Sequence, residues 1–490
     1  MNRFFEILPG AISWCIILGL LLFIFFSPLV AAVILIVFLL YWIFRLLYMS
    51  VLLVVAHSRM NSRKRTPWLK LCKEVKADLK YEEIMHVVLY PTYKEPPQVL
   101  NDSLNALVGI NYPKDKVMVI LAGEEREEGV FSKLEGISRH FKSYFKDIMV
   151  FMHPKNIPGE LAGKGANATY SARKVKELLE KNGVDLDCVI ISVFDADTCP
   201  DKNYFACLTY HFLSNPNRYQ TSFQPLPIYS NNIYKVSALA RVIEIGSTFW
   251  QLIESMRYEK FVTFSSHSMS FKTLVEVGYW PVDLVSDDSL IFWKCFLKFN
   301  GKYSTYPLEA PVYMDIAAGK NIFETIAIQY KQKRRWAWGV ENFVFVGMAF
   351  LRNKRIPWEV KFRKLYQLLD NHVNWATWAI IITFMTPLIL YWGKVEAKQA
   401  LVLFNLSYLN GVIFNSLSLI AILSIFISWQ FLPPRPKKVS KSFYIVFVLQ
   451  WLMLPFISAV LGSAPALDAQ TRLMFKRYMG FYRTPKRGQD

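Results

Sequence analysis

Val189-Ile190-Ile191-Ser192-Val193-Phe194-Asp195-Ala196-Asp197-Thr198-Cys199-Pro200 decides the fold. Val189–Phe194 is apolar almost throughout, without the alternation of a half-exposed strand, as in a sheet covered on both faces. Two carboxylates follow at once, and Thr198-Cys199-Pro200 turns the chain away. Three similar runs precede it: His86–Tyr90, Val117–Leu121 and Ile148–Met152. Polar, helix-periodic stretches near 97–109, 130–143 and 166–181 separate the four, the last ending at Asn182-Gly183 with Lys174, Lys176 and Lys181 toward its C-terminus. Strand, helix, strand at this spacing predicts a doubly wound α/β domain of parallel strands with right-handed crossovers. Ligands in such a domain sit at the carboxyl ends of the strands. Pro91-Thr92-Tyr93-Lys94-Glu95 follows the first strand, Ala122-Gly123-Glu124-Glu125 the second and Asp195-Ala196-Asp197 the fourth.

Three clusters can carry chemistry. Asp195 and Asp197, at i and i+2 on a loop, can both reach a hard cation, and Mg²⁺ or Mn²⁺ in turn bridges diphosphate oxygens; the bland alternative is a pair of surface carboxylates. Ser286-Asp287-Asp288 precedes the apolar Leu290–Trp293. An aspartate there either caps a helix or takes a proton from an acceptor hydroxyl. In Gln332-Lys333-Arg334-Arg335-Trp336, the residues Gln332, Arg335 and Trp336 fall at i, i+3 and i+4 and share one helix face. That segment is either an ordinary basic interfacial helix or a guanidinium and an indole set against a departing diphosphate and a sugar.

Outward from this core the composition changes. Hydrophobic types make up 53 % of the 490 residues and charged types 19 %, yet the net charge is +19. Disorder is excluded, and the charged fraction falls below the quarter or so of an ordinary soluble enzyme. The excess is concentrated in Phe4–Phe26, Leu29–Val55, Trp375–Trp392, Leu401–Phe431 and Phe443–Leu461, each long or nearly long enough to cross about 30 Å of hydrocarbon. One helix over 4–55 would span about 78 Å, so a hairpin turning at Ser27-Pro28 is expected. The second run follows without a cleavage site, which excludes a secretory signal and predicts an integral membrane protein. Arg59, Arg63, Lys64, Arg65, Arg435, Lys437, Lys438 and Lys441 flank the spans and favour the cytoplasmic face for the middle of the chain. That accounts for the basic charge without nucleic acid, for which no accompanying motif is present. The six cysteines form no CxxC pair, which fits reduced thiols.

Ser230–Lys260 and Asn321–Leu351 read as long helices, and Trp250, Trp280, Trp293, Trp336, Trp338 and Trp358 around them suggest amphipathic helices in the membrane interface. If all five apolar runs cross, the termini fall on opposite sides, although 433–442 and 472–487 are both basic. Either Phe443–Leu461, interrupted by Pro455, turns back without crossing, or 401–431 is not a simple span.

The ordered set PTYKE, Asp-x-Asp, Ser-Asp-Asp and Gln-x-x-Arg-Trp, placed between membrane runs, resembles the membrane-embedded branch of glycosyltransferase family 2, which includes cellulose, chitin and hyaluronan synthases. The resemblance covers about residues 85 to 345. It implies a glycosyltransferase A-type domain between transmembrane helices, inverting transfer from a nucleotide sugar by direct displacement, and Mg²⁺ or Mn²⁺ as the cation. Residue by residue, it implies that Tyr93, with Glu95 in the same motif, lies at the nucleotide base. Lys164 of Gly163-Lys164-Gly165-Ala166-Asn167 approaches the donor phosphates, and Asp195 with Asp197 serves nucleotide and metal. Asp288 is the general base with Asp287 beside it, and Gln332, Arg335 and Trp336 shape the diphosphate and acceptor end.

The chain departs from the family pattern at three places. Glu124 stands where an aspartate pair is usual, Ser286-Asp287 stands for Thr-Glu, and Phe481-Tyr482-Arg483-Thr484-Pro485-Lys486 is similar to a mobile gating segment but carries Arg483 in place of valine. Thr484 and Lys486 would then cap the nucleotide from the cytosol; a basic tail at the membrane surface is the plainer alternative. The organisation expected is a transmembrane hairpin at 1–55, a catalytic region at 56–370, a C-terminal membrane region at 371–465 and a basic segment at 466–490. The expected setting is a bacterial or archaeal cell membrane with the catalytic region cytoplasmic. The reading favoured is polysaccharide synthesis from a UDP-sugar, with Trp375, Trp378, Phe384 and Trp392 available to line a carbohydrate path and a homo-oligomer or secretion partner available to complete it. The alternatives are single-sugar transfer to a polyprenyl phosphate or other lipid, and a non-catalytic scaffold or transporter.

Overall fold

The computed structural model describes residues 2–392, 400–480 and 482–485; Lys486 and the side chain of Trp392 lie outside the described residues. The four expected strands are present as β1 (Met85–Pro91), β2 (Val117–Glu124), β3 (Asp147–His153) and β4 (Val189–Val193), parallel in the order β3-β2-β1-β4. Their apolar runs lack alternation because helices cover both faces. Val88, Tyr90, Val119 and Leu121 pack against Pro97–Val108 and Val130–Phe141, while Val87, Leu89 and Ile120 pack against Lys164–Lys181 and Asp287–Lys298.

Six shorter strands complete the domain: β5 (Cys199–Pro200), β6 (Thr221–Gln224), β7 (Pro227–Tyr229), β8 (Ser268–Ser270), β9 (Ser304–Pro307) and β10 (Val312–Met314). The large sheet continues beyond β4 through β8, β6 and β9, with β8 antiparallel to both of its neighbours. A small sheet of β5, β10 and β7 follows the Asp-Ala-Asp loop directly.

The two long helices expected between 230 and 351 are shorter. The first is Ala238–Ser255, because β7 and a turn occupy the preceding residues. The second is broken into Ile322–Ala337 and Glu341–Arg352 by a 3₁₀ turn at Trp338–Val340. The tryptophans divide too. Trp250 and Trp358 are exposed, but Trp280, Trp293 and Trp338 are core residues at 3 % exposure or less, so packing and not an interface explains them.

Five helices among the described residues are long and apolar enough to cross a membrane: Asn2–Phe26, Pro28–Arg63, Trp358–Ile389, Phe404–Gln430 and Ser442–Met474. The first two form the expected hairpin about Ser27, and Trp358–Ile380 runs unbroken across residue 370. Trp378 stacks on Trp42 with ring centroids 4.9 Å apart, which spends its face on packing between spans.

The ends of these helices decide the path of the chain. Near its start Ser442–Met474 meets the α/β domain through Phe443, whose ring lies 5.0 Å from that of Tyr234 and 4.7 Å from the Arg241 guanidinium. Near its end it meets the domain again, where Asp468 accepts from Arg334 Nη1 at 2.8 Å. Between these contacts the helix is interrupted at Gln450–Met453 and Ser458–Ser463. Both ends of this segment thus touch the α/β domain, with the interruptions lying between them. The N-terminus lies there as well: Arg3 Nη2 donates to Met474 O at 2.7 Å, and Phe5 packs on Phe343.

Candidate active site

Three polar groups from separate elements converge beyond the carboxyl end of β4. Lys164 opens the helix Lys164–Lys181, and its Nζ donates to Asp195 Oδ1 at 2.7 Å and to Asp288 Oδ1 at 2.8 Å, with Ser265 Oγ 3.4 Å away. The helix start is fixed by Asn167, whose Nδ2 donates to Ala122 O at 2.8 Å, and by Leu161 N on Val282 O at 2.7 Å. Gly165 permits the approach, since a Cβ there would meet Pro281 O at 2.4 Å and Asp287 Cβ at 2.9 Å. Burial alone would lower the Lys164 ammonium's affinity for its proton, but the charges of Asp195, Asp288 and Asp287 outweigh it and hold the group well above the ordinary lysine value.

Asp287 and Asp288 lie in the first turn of Asp287–Lys298, and the preceding Ser286 makes no side-chain cap. Burial, and then the neighbouring Asp288 charge, push the Asp287 carboxyl well above the carboxylate range. Ser286 N instead donates to Glu341 Oε1 at 2.7 Å, and Trp338 Nε1 to Glu341 Oε2 at 2.8 Å, so the helix Glu341–Arg352 holds this turn in place.

His267 stands on the other side of Asp288, with Nδ1 3.9 Å from Asp288 Oδ1. Trp280 Nε1, which can only donate, points at His267 Nε2 at 3.0 Å, and so Nδ1 carries the proton and donates to Phe264 O at 2.8 Å. Burial lowers this imidazole to about 4, against the pull of Asp288, and the ring is neutral at physiological pH. Sequence reading missed Ser265, His267 and Glu341. Ser265 and His267 lie in the polar run Ser265-Ser266-His267-Ser268, which matches no motif, and Glu341 is a lone acid at the start of an aromatic-rich helix.

Asp197 is 1 % exposed; its Oδ2 accepts from Asp315 N at 2.9 Å, and its carbonyl accepts from Asn231 Nδ2 at 3.1 Å. Asp315, at the end of β10, is 2 % exposed and brings a third carboxylate beside the Asp195-Ala196-Asp197 loop. A hard, oxygen-rich, anionic donor set of this kind fits Mg²⁺ or Mn²⁺. The one three-residue group of tighter ligand spacing among the described residues, Cys207, His211 and Glu309, lies elsewhere. There Glu309 accepts from Arg59 Nη2 at 2.7 Å and pairs with His211 Nε2 at 2.9 Å, which ties the helix Pro28–Arg63 to the domain. Although burial opposes it, these two partners hold the Glu309 carboxyl down at about 2.

The PTYKE loop forms a second edge. Glu95 is buried and accepts from Thr92 Oγ1 at 2.8 Å and from Tyr93 N. Arg126 lies over the Tyr93 ring, 4.7 Å from its centroid, and pairs with Glu124, whose carboxyl is raised by burial against that arginine's pull. The C-terminal segment reaches this edge: Arg483 Nη2 donates to Lys94 O at 3.1 Å, Arg483 Nε lies 3.7 Å from Glu95 Oε1, and Thr484 is buried. The third motif is brought in by Ile322–Ala337. Gln332 is buried, the Trp336 ring lies 6.4 Å from that of Tyr229, and the Arg335 charge acts on Asp287, Tyr229 and Tyr482. Lys164, Asp195, Asp288 and the charges of Asp287 and Arg335 are thus linked at the carboxyl edge of the sheet, while Tyr93, Glu95, Glu124 and Arg483 form the neighbouring PTYKE edge.

The chain is 22 % identical over 399 residues to the poly-beta-1,6-N-acetyl-D-glucosamine synthase of Staphylococcus epidermidis, covering 80 % of this chain and 85 % of that one. The synthase of the same name from Staphylococcus aureus (strain COL) is 22 % identical over 312 residues, 63 % of this chain and 66 % of that one. Among solved structures, the mannosyltransferase PcManGT from Pyrobaculum calidifontis, in complex with GDP-Man and Mn2+, aligns with a TM-score of 0.42 at 12 % identity, over 83 % of this chain and 99 % of that one. S. aureus TarS 1-349 in complex with UDP-GlcNAc aligns with a TM-score of 0.37 at 14 % identity, over 82 % and 93 %. The model of glycosyl transferase family group 2 matches residues 190–461, from inside β4 through the Ser-Asp-Asp turn and the Gln-x-x-Arg-Trp helix to the last apolar segment. With more than half of its length matched, the chain belongs to glycosyl transferase family group 2.

Proposed function

We propose that this membrane glycosyltransferase transfers N-acetylglucosamine from UDP-N-acetylglucosamine to a growing polysaccharide, with inversion at the anomeric carbon. The observation that supports it best is the Lys164 bridge, which sets Asp195 and Asp288 on opposite sides of one ammonium. A donor diphosphate taking up that ammonium lies beside Asp288. The carboxylate of Asp288 accepts the proton of the acceptor hydroxyl as its oxygen bonds to the anomeric carbon and the bond to the diphosphate breaks. Arg335 and Lys164 take up the charge of the leaving group, Tyr93 and Glu124 border the base, and Gln332 and Trp336 form the acceptor side. Asp195 and Asp197 hold Mg²⁺ or Mn²⁺, which when bound supplies positive charge to the diphosphate oxygens. Thr484 closes the nucleotide end.

The domain faces the cytoplasm, with the start of Asn2–Phe26 and the segment 482–485 on its side and four helices crossing the membrane; Ser442–Met474 lies along the domain. The basic residues at 59–65 and 435–441 support this orientation. A homo-oligomer or a secretion partner would supply the rest of a polymer channel.

The test is purified protein in lipid nanodiscs with UDP-N-acetylglucosamine, UDP-glucose, UDP-glucuronate and GDP-mannose, the products sized by mass spectrometry. A ladder of N-acetylglucosamine units is expected. A single sugar on a lipid would establish lipid glycosylation instead, and no turnover of any donor would overturn both.

A further inference from the structure

Glu244 lies in the middle of the helix Ala238–Ser255 and is fully buried, at 0 % exposure. A carboxylate in such a place is costly unless each oxygen is matched. One is: Lys333 Nζ, from the Gln-x-x-Arg-Trp helix, lies 3.3 Å from Glu244 Oε2 and donates to Ser247 Oγ at 2.7 Å. The other, Glu244 Oε1, has no hydrogen-bond partner among the described residues. Orphaned buried acceptors are rare in folded proteins and ask for a donor from outside.

The surroundings indicate which donor. Lys333 Nζ lies 3.7 Å from the centroid of the Trp336 ring, which faces Tyr229. Glu244 acts on the Tyr229 phenol together with Asp195 and Asp197, so this carboxylate borders the reaction centre on the Trp336 side. Gln332 Oε1, one helical turn from Trp336, is a second buried acceptor without a partner among the described residues. Unmatched acceptor oxygens near the half-buried Trp336 ring complement a sugar ring, whose C–H face stacks on an aromatic ring while its hydroxyl and amide groups donate at the rim.

We propose that Glu244 is an acceptor-binding residue: Oε1 accepts a hydrogen bond from a hydroxyl or amide N–H of the sugar unit resting on Trp336, and Lys333 holds the carboxylate in place. This rests on the polysaccharide reading above and adds to it a residue outside the sequence motifs. The rival role is that of a plain counter-ion to Lys333.

Two variants of the full-length protein separate them, assayed with UDP-N-acetylglucosamine and an N-acetylglucosamine oligosaccharide acceptor of fixed length. Glu244→Gln is expected to raise the acceptor KM by about tenfold to a hundredfold, the loss of a hydrogen bond to a charged group. UDP affinity by calorimetry should be unchanged. The double variant Glu244→Met with Lys333→Met buries no charge, which keeps the test open if the single variant fails to fold. A counter-ion role predicts a parental acceptor KM in the double variant, whereas the proposal predicts that it stays raised. A parental acceptor KM in either variant, with the parent active, overturns this assignment alone. A parent that turns over no nucleotide sugar overturns the underlying reading and this assignment with it.

Discussion

Lys164 and Asp288, 124 residues apart in sequence, are joined by a hydrogen bond of 2.8 Å from Nζ to Oδ1. The lysine opens a helix that covers the parallel half of the sheet, and the aspartate opens a second helix on the same face. The bond therefore forms only when both helices are docked. It gives Asp288 a positive neighbour, while the adjacent Asp287 has none within hydrogen-bond reach among the described residues and is pushed up by burial and by Asp288.

Asp288→Asn preserves shape and most hydrogen bonding to Lys164 but removes the proton acceptor. We expect transfer to fall by roughly 10²–10⁴ with donor affinity largely kept. Released UDP and calorimetric donor affinity, measured on parent and variant together, check it. Near-parental transfer would move the base to another residue, and equal loss of binding and rate would indicate a misplaced nucleotide.

Removing a carboxylate from the Asp195-Ala196-Asp197 loop should act through the cation. In Asp197→Ala, after EDTA treatment, we expect MnCl₂ or MgCl₂ to restore neither transfer nor cation-supported UDP binding, because the coordination shell is opened. A parent fully active in EDTA, or a variant with the parental metal titration, would remove the cation from this loop.

Legibility in the sequence followed burial geometry. β1 to β4 are apolar on both faces and announced themselves; PTYKE and Asp195-Ala196-Asp197 follow strands and Lys164 and Asp287-Asp288 open helices, whereas Gln332, Arg335 and Trp336 sit near the end of Ile322–Ala337. β5 to β10 did not, being two to four residues long and in part polar. Ser268-Met269-Ser270 is fully buried yet reads as a loop, because its serines are satisfied internally, Ser268 Oγ bonding Ser192 Oγ at 2.6 Å. The expected interfacial tryptophans failed in part because composition does not tell a core indole from one at the headgroups. Trp280 and Trp338 are spent on hydrogen bonds to His267 and Glu341. Arg241 and Glu244, two charges among the largely apolar first half of Ala238–Ser255, were visible in the sequence, but only the fold shows that Glu244 meets Lys333.

The raised Asp287 carboxyl makes stability depend on pH. Because its folded-state proton affinity exceeds that of the unfolded chain, its neutral form is cheap at low pH. The cost of ionising it in the fold grows as pH rises above the ordinary carboxylate range, with each unit of difference worth about 1.4 kcal/mol. Asp287→Asn has no proton to lose. The thermal midpoint of this variant relative to the parent should rise between pH 5 and pH 8, measured in one detergent at constant ionic strength. An offset that does not change with pH would mean that Asp287 ionises in the folded protein as freely as in the unfolded chain.

Arg483 stands where the similar gating segment carries valine, and it holds the tail against the PTYKE loop through Lys94 O and the Glu95 carboxylate. The ion pair is long, 3.7 Å, and the arginine side chain is 23 % exposed, so a modest contribution of about 0.2–1 kcal/mol is expected, screened by salt. That amounts to a change of roughly 1.4-fold to fivefold in the population of the undocked tail. Chymotrypsin cleavage near Tyr482 reports this population without depending on catalysis. In the parent, cleavage should quicken as NaCl is raised from 50 to 500 mM; in Arg483→Val it should already be faster at 50 mM and respond little to salt. Equal protection of parent and variant at low salt would show that burial of Thr484, and not the arginine, keeps the tail docked, and saturating UDP should then protect both chains to the same degree.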